Sequence, residues 1–207
     1  MKWVIIKSSL CFVILAAIAL LPIYRCRENR RQSNFDLLDA SERGNVRDIE
    51  QALTDGADAN ETDAFEMTPL MIAAGAGRAK AVELLLNHGA SIDASADLSG
   101  TALMRAASDG NTDVVRILLK RGASVNNLNR FGESALVRAI ECGDAPVEIV
   151  QMLLRAGADP NVRCLDGQTP LSLAMSNGDF AKAKCLIAGG ARIQAVKPQP
   201  AVCDAMH

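Results

Sequence analysis

Gly-Ala pairs stand at residues 56–57, 89–90, 122–123, 157–158 and 190–191, spaced by 33, 33, 35 and 33 residues. A second marker, Thr or Ser followed by Pro or Ala and then Leu, begins at Thr68, Thr101, Ser134 and Thr169 and repeats the spacing of 33, 33 and 35. Two independent markers with one period and one shared insertion define a unit copied along the chain. A period of this length calls for stacked supersecondary units, each too small to bury its own apolar face.

The residues within one period read as two helices. The Thr or Ser accepts from free backbone N–H groups at a helix start, and Pro69 and Pro170 fall at the first helical position, where a missing N–H costs nothing. Pairs such as Ala73-Ala74 and Ala106-Ala107 give this first helix a thin face, and Gly77, Gly110, Gly143 and Gly178 are placed to end it in a left-handed conformation. The second helix carries larger apolar residues at helical spacing: Val46, Ile49 and Leu53, then Val82, Leu85 and Leu86, then Val114, Val115, Leu118 and Leu119, then Ile149, Val150, Leu153 and Leu154. Phe180, Ala183, Leu186 and Ile187 continue that pattern in the last unit. Aromatic residues make up only 3% of the chain, which suits closely packed small helices better than a β-sandwich.

The second unit, TPLMIAAGAGRAKAVELLLNHGASID, resembles an ankyrin repeat, and the likeness extends from Phe35 to Ile193. The first unit, DLLDASERGNVRDIEQALTDGADAN, lacks the TPL turn, as a terminal cap would. The resemblance implies an all-α solenoid of about five helix-turn-helix repeats within residues 33–193, at 35–61, 62–94, 95–127, 128–162 and 163–193, followed by a flexible tail, 194–207. The position after TPL, commonly a histidine that bonds between repeats in this family, holds Met71, Met104, Val137 and Ser172. The expectation is therefore that this hydrogen-bond ladder is absent and that packing replaces it. The two extra residues of the fourth repeat lie between Gly143 and Ile149, with Pro146 expected to open its second helix.

Residues 1–32 form a separate element, expected to be one hydrophobic helix with a basic flank. From Trp3 to Tyr24 the chain is apolar apart from Lys7, Ser8 and Ser9, and Leu10 to Leu21 is unbroken. As a helix, this stretch reaches roughly 33 Å, enough to cross a ~30 Å hydrocarbon core. Trp3 and Tyr24 lie where interfacial aromatics belong, and Arg25, Arg27, Arg30 and Arg31 form a stop-transfer flank. The expectation is a single-pass anchor in the lipid bilayer with the repeats on the cytoplasmic side. The alternative is a signal peptide cleaved after Ala17-Ile18-Ala19, giving a periplasmic or secreted effector or protective factor for a partner enzyme.

The net charge of −2 combines unlike parts: residues 1–32 hold six basic side chains against Glu28 alone, so the rest of the chain stands at −7. An acidic body is poorly suited to phosphate backbones, and nucleic acid is not expected as a partner. Cysteines 11, 26, 142, 164, 185 and 203 form no CxxC and no metal-ligand spacing with His88 or His207. Cys142 and Cys185 fall within helical patterns and read as small core residues, whereas Cys164 and Cys203 fall in a loop and the tail. His88 reads as a surface residue. GxSxG, HExxH and phosphate-binding glycine loops are all missing from the sequence, and Asp58-Ala59-Asn60 and Asp159-Pro160-Asn161 read as the start of connecting loops, not calcium sites. The expectation is a monomeric, non-enzymatic repeat domain without cofactor or metal, whose partner is another protein.

The resemblance also implies where that partner binds, since ankyrin domains receive partners on the turn tips and the exposed face of the first helices. On this chain those positions are Phe65, Met67, Leu98, Arg130, Phe131, Glu133, Leu165, Asp166 and Gln168 at the tips, with Ser108, Asp109, Glu141, Ser176 and Asn177 on the helices. Phe65, Phe131 and Leu165 have two readings at this stage, as packing between adjacent turns or as contacts to the partner.

Overall fold

A computed structural model describes residues 32–143 and 145–192. The expected anchor, including Trp3, Leu10, Leu21 and Tyr24, and the tail 194–207 lie outside the described residues. Among the described residues ten helices follow one another: α1 (residues 32–43), α2 (Val46–Thr54), α3 (Pro69–Gly75), α4 (Ala79–Asn87), α5 (Ala102–Ser108), α6 (Thr112–Lys120), α7 (Ala135–Glu141), α8 (Val147–Arg155), α9 (Pro170–Ser176) and α10 (Phe180–Ala188). Among the described residues no helix is long and apolar enough to cross a membrane.

Local chemistry sets each first helix in place. The hydroxyls of Thr68, Thr101, Ser134 and Thr169 accept from the backbone N–H three residues on, at 3.2–3.4 Å. In α9 Ser172 answers, its Oγ accepting from the Thr169 N–H at 2.8 Å to complete a capping box. At the far end Gly77 turns the chain back at φ 70°, and a Cβ there would meet Asn111 Oδ1 of the next repeat at 2.6 Å, so both backbone and neighbour exclude a side chain. Among the described residues the strands are confined to a short hairpin at the third turn, with the two-residue β1 (Ser95–Ala96) pairing antiparallel with the two-residue β2 (Gly100–Thr101).

The helices form two layers. Helices α3, α5, α7 and α9 pack side by side, α2, α4, α6, α8 and α10 form the second layer, and each pair packs across the layers. The core runs continuously between them, from Leu37 and Ile49 through Leu85, Leu103, Leu118, Leu136 and Leu153 to Leu186. This is the stacking that single units of this size need.

Three expectations are corrected here. Packing alone does not replace the histidine ladder, although Met71, Met104 and Val137 are fully buried. A second ladder runs through the long loops. Asn60 Nδ2 donates to the Gly89 carbonyl and its Oδ1 accepts from the Ser91 N–H; Asn126 does the same with Gly157 and Asp159, and Asn161 with Gly190 and Arg192. Asp93 takes the equivalent rung, accepting from both the N–H and the hydroxyl of Ser124. Each rung ties the loop of one repeat to the loop of the next, along the exposed side of the stack.

The second correction concerns the thiols: Cys142 is exposed, because α7 ends at Glu141, and Cys185 is only partly buried. The third concerns the last repeat, where Phe180 and Ile187 are exposed while Lys182 is buried. Lys182 occupies the slot filled by Val114 and Ile149 in earlier repeats. Its ammonium reaches the Gly143 carbonyl at 2.9 Å, in the loop that carries the insertion, and Asp179 Oδ2 at 3.2 Å. A buried amine is tolerable when paired in this way.

Candidate partner-binding surface

The turn tips are built by side chains five residues ahead of the helix cap. Asp63 Oδ1 accepts from the N–H groups of Phe65 and Met67 at 2.8 and 2.9 Å, and Asn129 Oδ1 accepts from those of Phe131 and Glu133 at 3.0 Å. These Asx turns place Phe65 and Phe131 at equivalent tips. The same slot holds Ala96 in the third repeat, where the hairpin forms instead, and Cys164 in the fifth, where Asp166 Oδ1 accepts from the Gln168 N–H at 2.9 Å. Asp63 and Asn129 were missed by the sequence reading, although an Asx residue at a fixed distance before the cap is a legible sign.

Adjacent tips are stitched together. Glu66 Oε2 accepts from the Asp97 N–H at 3.1 Å, the Arg130 N–H donates to the Asp97 carbonyl at 3.4 Å, and the Leu165 N–H donates to the Phe131 carbonyl at 3.0 Å. Glu66 is the one described non-glycine residue with positive φ, at 62°, where the fourth and fifth repeats have Gly132 and Gly167. A strained backbone of this kind persists only where its surroundings hold it, and here the bond to the next tip does so. The stitched edge carries Phe65, Leu98, Phe131 and Leu165, which are 79%, 56%, 42% and 79% exposed. Phe65 and Leu165 therefore point away from the stack instead of packing between turns. The Arg130 guanidinium lies over the Phe131 ring, 5.0 Å from its centre, within cation–π range.

Two expected contact residues are not on the surface. Met67 belongs to the core, because the residue just before a helix cap turns its apolar side chain back on the first helical turn. Ser108 is buried at the end of α5, its Oγ 3.0 Å from Cys142 Sγ and accepting from Arg138 Nη2 at 3.3 Å. Glu133 is mostly covered, accepting from Asn129 Nδ2 at 2.8 Å and facing Arg138 at 3.6 Å. Asp109, Arg130, Glu141, Asp166, Gln168, Ser176 and Asn177 are exposed, though Asn177 Nδ2 also donates to the Ile140 carbonyl at 3.1 Å.

Charge on this face concentrates around Arg138, which bonds Glu141 at 2.9 Å. Burial and the neighbouring Glu133 nevertheless push the Glu141 carboxyl above its usual range. Cys164, beside these acids, has its thiol pushed up to about 11, first by burial and then by Asp166. Such a thiol stays protonated at neutral pH and is a poor nucleophile. Among the described residues no group of three or more His, Cys, Asp or Glu side chains could hold a metal ion.

A family model described as ankyrin repeats in three copies matches residues 37–129, and another described as ankyrin repeats in many copies matches residues 118–174. No curated protein matches the chain.

Proposed function

Since the chain belongs to the ankyrin-repeat family, we propose that it is a non-enzymatic protein-binding module, held at a membrane by residues 3–24, whose partner lies along the tips of repeats two to five. The observation that carries this reading is the row of Phe65, Leu98, Phe131 and Leu165, apolar and exposed on tips bonded to one another. Large exposed apolar side chains with a polar rim mark recognition surfaces, and rigid aromatic anchors concentrate binding energy. Arg130, Asp166 and Gln168 supply the rim. On this face Arg138 is held between Glu133 and Glu141, so the apolar row itself binds by shape and apolar contact, with no titratable centre required.

The tether rests on the length and flanks of the apolar N-terminal run, with the repeats on the cytoplasmic side where Arg25, Arg27, Arg30 and Arg31 would lie. Full-length protein is then expected in the membrane fraction and resistant to alkaline carbonate. A soluble product beginning after Ala19 would replace the tether with export.

The tip reading is tested by placing a photo-crosslinking amino acid at Phe65, at Phe131 and, as control, at His88 on the far end of α4. The expected outcome is one common partner captured from positions 65 and 131 and not from 88. Equal capture from all three positions, or capture from 88 alone, would contradict it.

A further inference from the structure

Arg105 and Arg138 occupy the same position one repeat apart, on α5 and α7, but their surroundings differ at every point. The Arg138 guanidinium has three acceptors: Glu133 at 3.6 Å, Glu141 at 2.9 Å and Ser108 Oγ at 3.3 Å. Counting back 33 residues, the corresponding neighbours of Arg105 are Gly100, Ser108 and Gly75. The first and last have no side chain, and the Ser108 hydroxyl is already engaged with Cys142 and Arg138.

The Arg105 side chain consequently makes no hydrogen bond among the described residues. Its Nε is the one buried side-chain nitrogen or oxygen among them without a partner, and its sole ion pair, to Asp109, is a long 3.7 Å. The side chain lies flat against Gly75, where a Cβ would come within 3.0 Å of Nη2. About a third of it remains open to solvent. Arg105 stands on α5, the helix that follows the third tip, and its guanidinium lies toward Gly75 and Asp109, at the closing ends of α3 and α5.

A guanidinium offers five N–H donors in a fixed fork that matches a carboxylate; Nε is itself shielded, so a partner's carboxylate would meet the outer nitrogens of the fork. We propose that Arg105 is a specificity-determining residue that receives an aspartate or glutamate side chain of the partner, so that the ligand is an acidic–apolar peptide segment that runs from the tips onto the exposed face of the first helices. This rests on the tip reading of the preceding section. The fourth repeat supplies two carboxylates to Arg138, at 2.9 and 3.6 Å, whereas the third offers Arg105 only Asp109, at 3.7 Å, and leaves room for one from the partner. Arg105 would discriminate in favour of acidic segments, and the Phe65 and Phe131 side chains would hold the apolar residues beside them.

The test is selection of a displayed library of random peptides on the full-length protein in detergent, with counter-selection on the Arg105→Gln variant. Arg155→Gln, which removes the same charge from the end of α8, serves as control. Enriched peptides are expected to carry an Asp or Glu next to apolar residues. They should lose about tenfold or more in affinity on Arg105→Gln and nothing on Arg155→Gln. Changing the peptide's Glu to Gln should cost the same on the wild type and nothing further on the variant. If Arg105→Gln fails to keep the wild-type circular dichroism, Arg105→Lys is used, which keeps the charge, loses the fork, and should give a smaller loss.

Enriched peptides without a carboxylate, equal affinity for wild type and variant, or no enrichment over the counter-selection would each overturn the proposal. Peptides that depend on Phe65 and Phe131 but not on Arg105 would leave the tip reading standing without it. Peptides that depend on none of the three would remove both.

Discussion

The third and fifth repeats share one helical plan but bury different residues. At the end of the first helix, the fourth repeat's Ile140 is 1% exposed, as buried as Ala107 in the third, while the fifth repeat's Met175 is 53% exposed. Phe180 and Ile187 are likewise open, and Lys182, in the slot of Val114, is closed in. No described residue lies over α9 and α10 on their outer side. Burial in a stack is therefore set by the neighbour on each side as much as by residue type. A central apolar residue has two neighbours, whereas the fifth repeat has one among the described residues and uses a lysine to reach back into the fourth repeat's enlarged loop.

This contrast can be broken at several points. Leu118, wholly buried in α6 with repeats on both sides, should show the largest effect: Leu118→Ala is expected to lower stability by roughly 2–5 kcal/mol in urea titration. A loss as small as that of a surface variant would mean that the centre of the stack is not where its core lies. Lys182→Ala should cost about 1–3 kcal/mol, since it strands the Gly143 carbonyl and removes a buried side chain. A neutral result would show that the fourth repeat's loop does not lean on the fifth. At the open end, Phe180→Ser should change stability by less than about 0.5 kcal/mol despite removing a whole ring. A loss approaching that of Leu118→Ala would mean that the outer face of α10 is covered in solution.

The tips differ from the core in their chemistry too. The Cys164 thiol, raised to about 11, is expected to react with iodoacetamide at a rate that climbs with pH until about that value, as the thiolate forms. A plateau near pH 9 would show that Asp166 and the surrounding burial do not act on it.

What was legible in the sequence was whatever is decided within a few residues. The caps Thr68, Thr101, Ser134 and Thr169, the glycines that close the first helices, and the apolar faces of the second helices before the last depend on local geometry and appear as expected. The loop ladder was equally periodic, with Asn60, Asp93, Asn126 and Asn161 each four residues after the glycine of a Gly-Ala pair. It was overlooked because polar loop residues read as solvated until a partner in another repeat is known. Lys182 was illegible for a stronger reason: its burial depends on a carbonyl freed by an insertion 39 residues earlier in the chain.

At the binding surface, the exposed tips followed from the repeat plan, while the inward turn of Met67, the burial of Ser108 and the unpaired state of Arg105 depend on packing between repeats. The difference between Arg105 and Arg138 lay in the sequence at a spacing of 33 residues, but only the ion pairs reveal which substitutions matter.

The central claim is that recognition resides on the tip row and is separable from the stability of the stack. The direct measurement is the affinity of the crosslinked partner for wild type and for the double variant Phe65→Ser, Phe131→Ser, with thermal melting of both followed by circular dichroism. The account predicts a loss of about 2 kcal/mol or more in binding with the melting temperature little changed. Unchanged affinity in a folded variant, or unfolding of the variant, would contradict it: the first would place recognition away from the tips, and the second would make the two rings part of the packing between repeats.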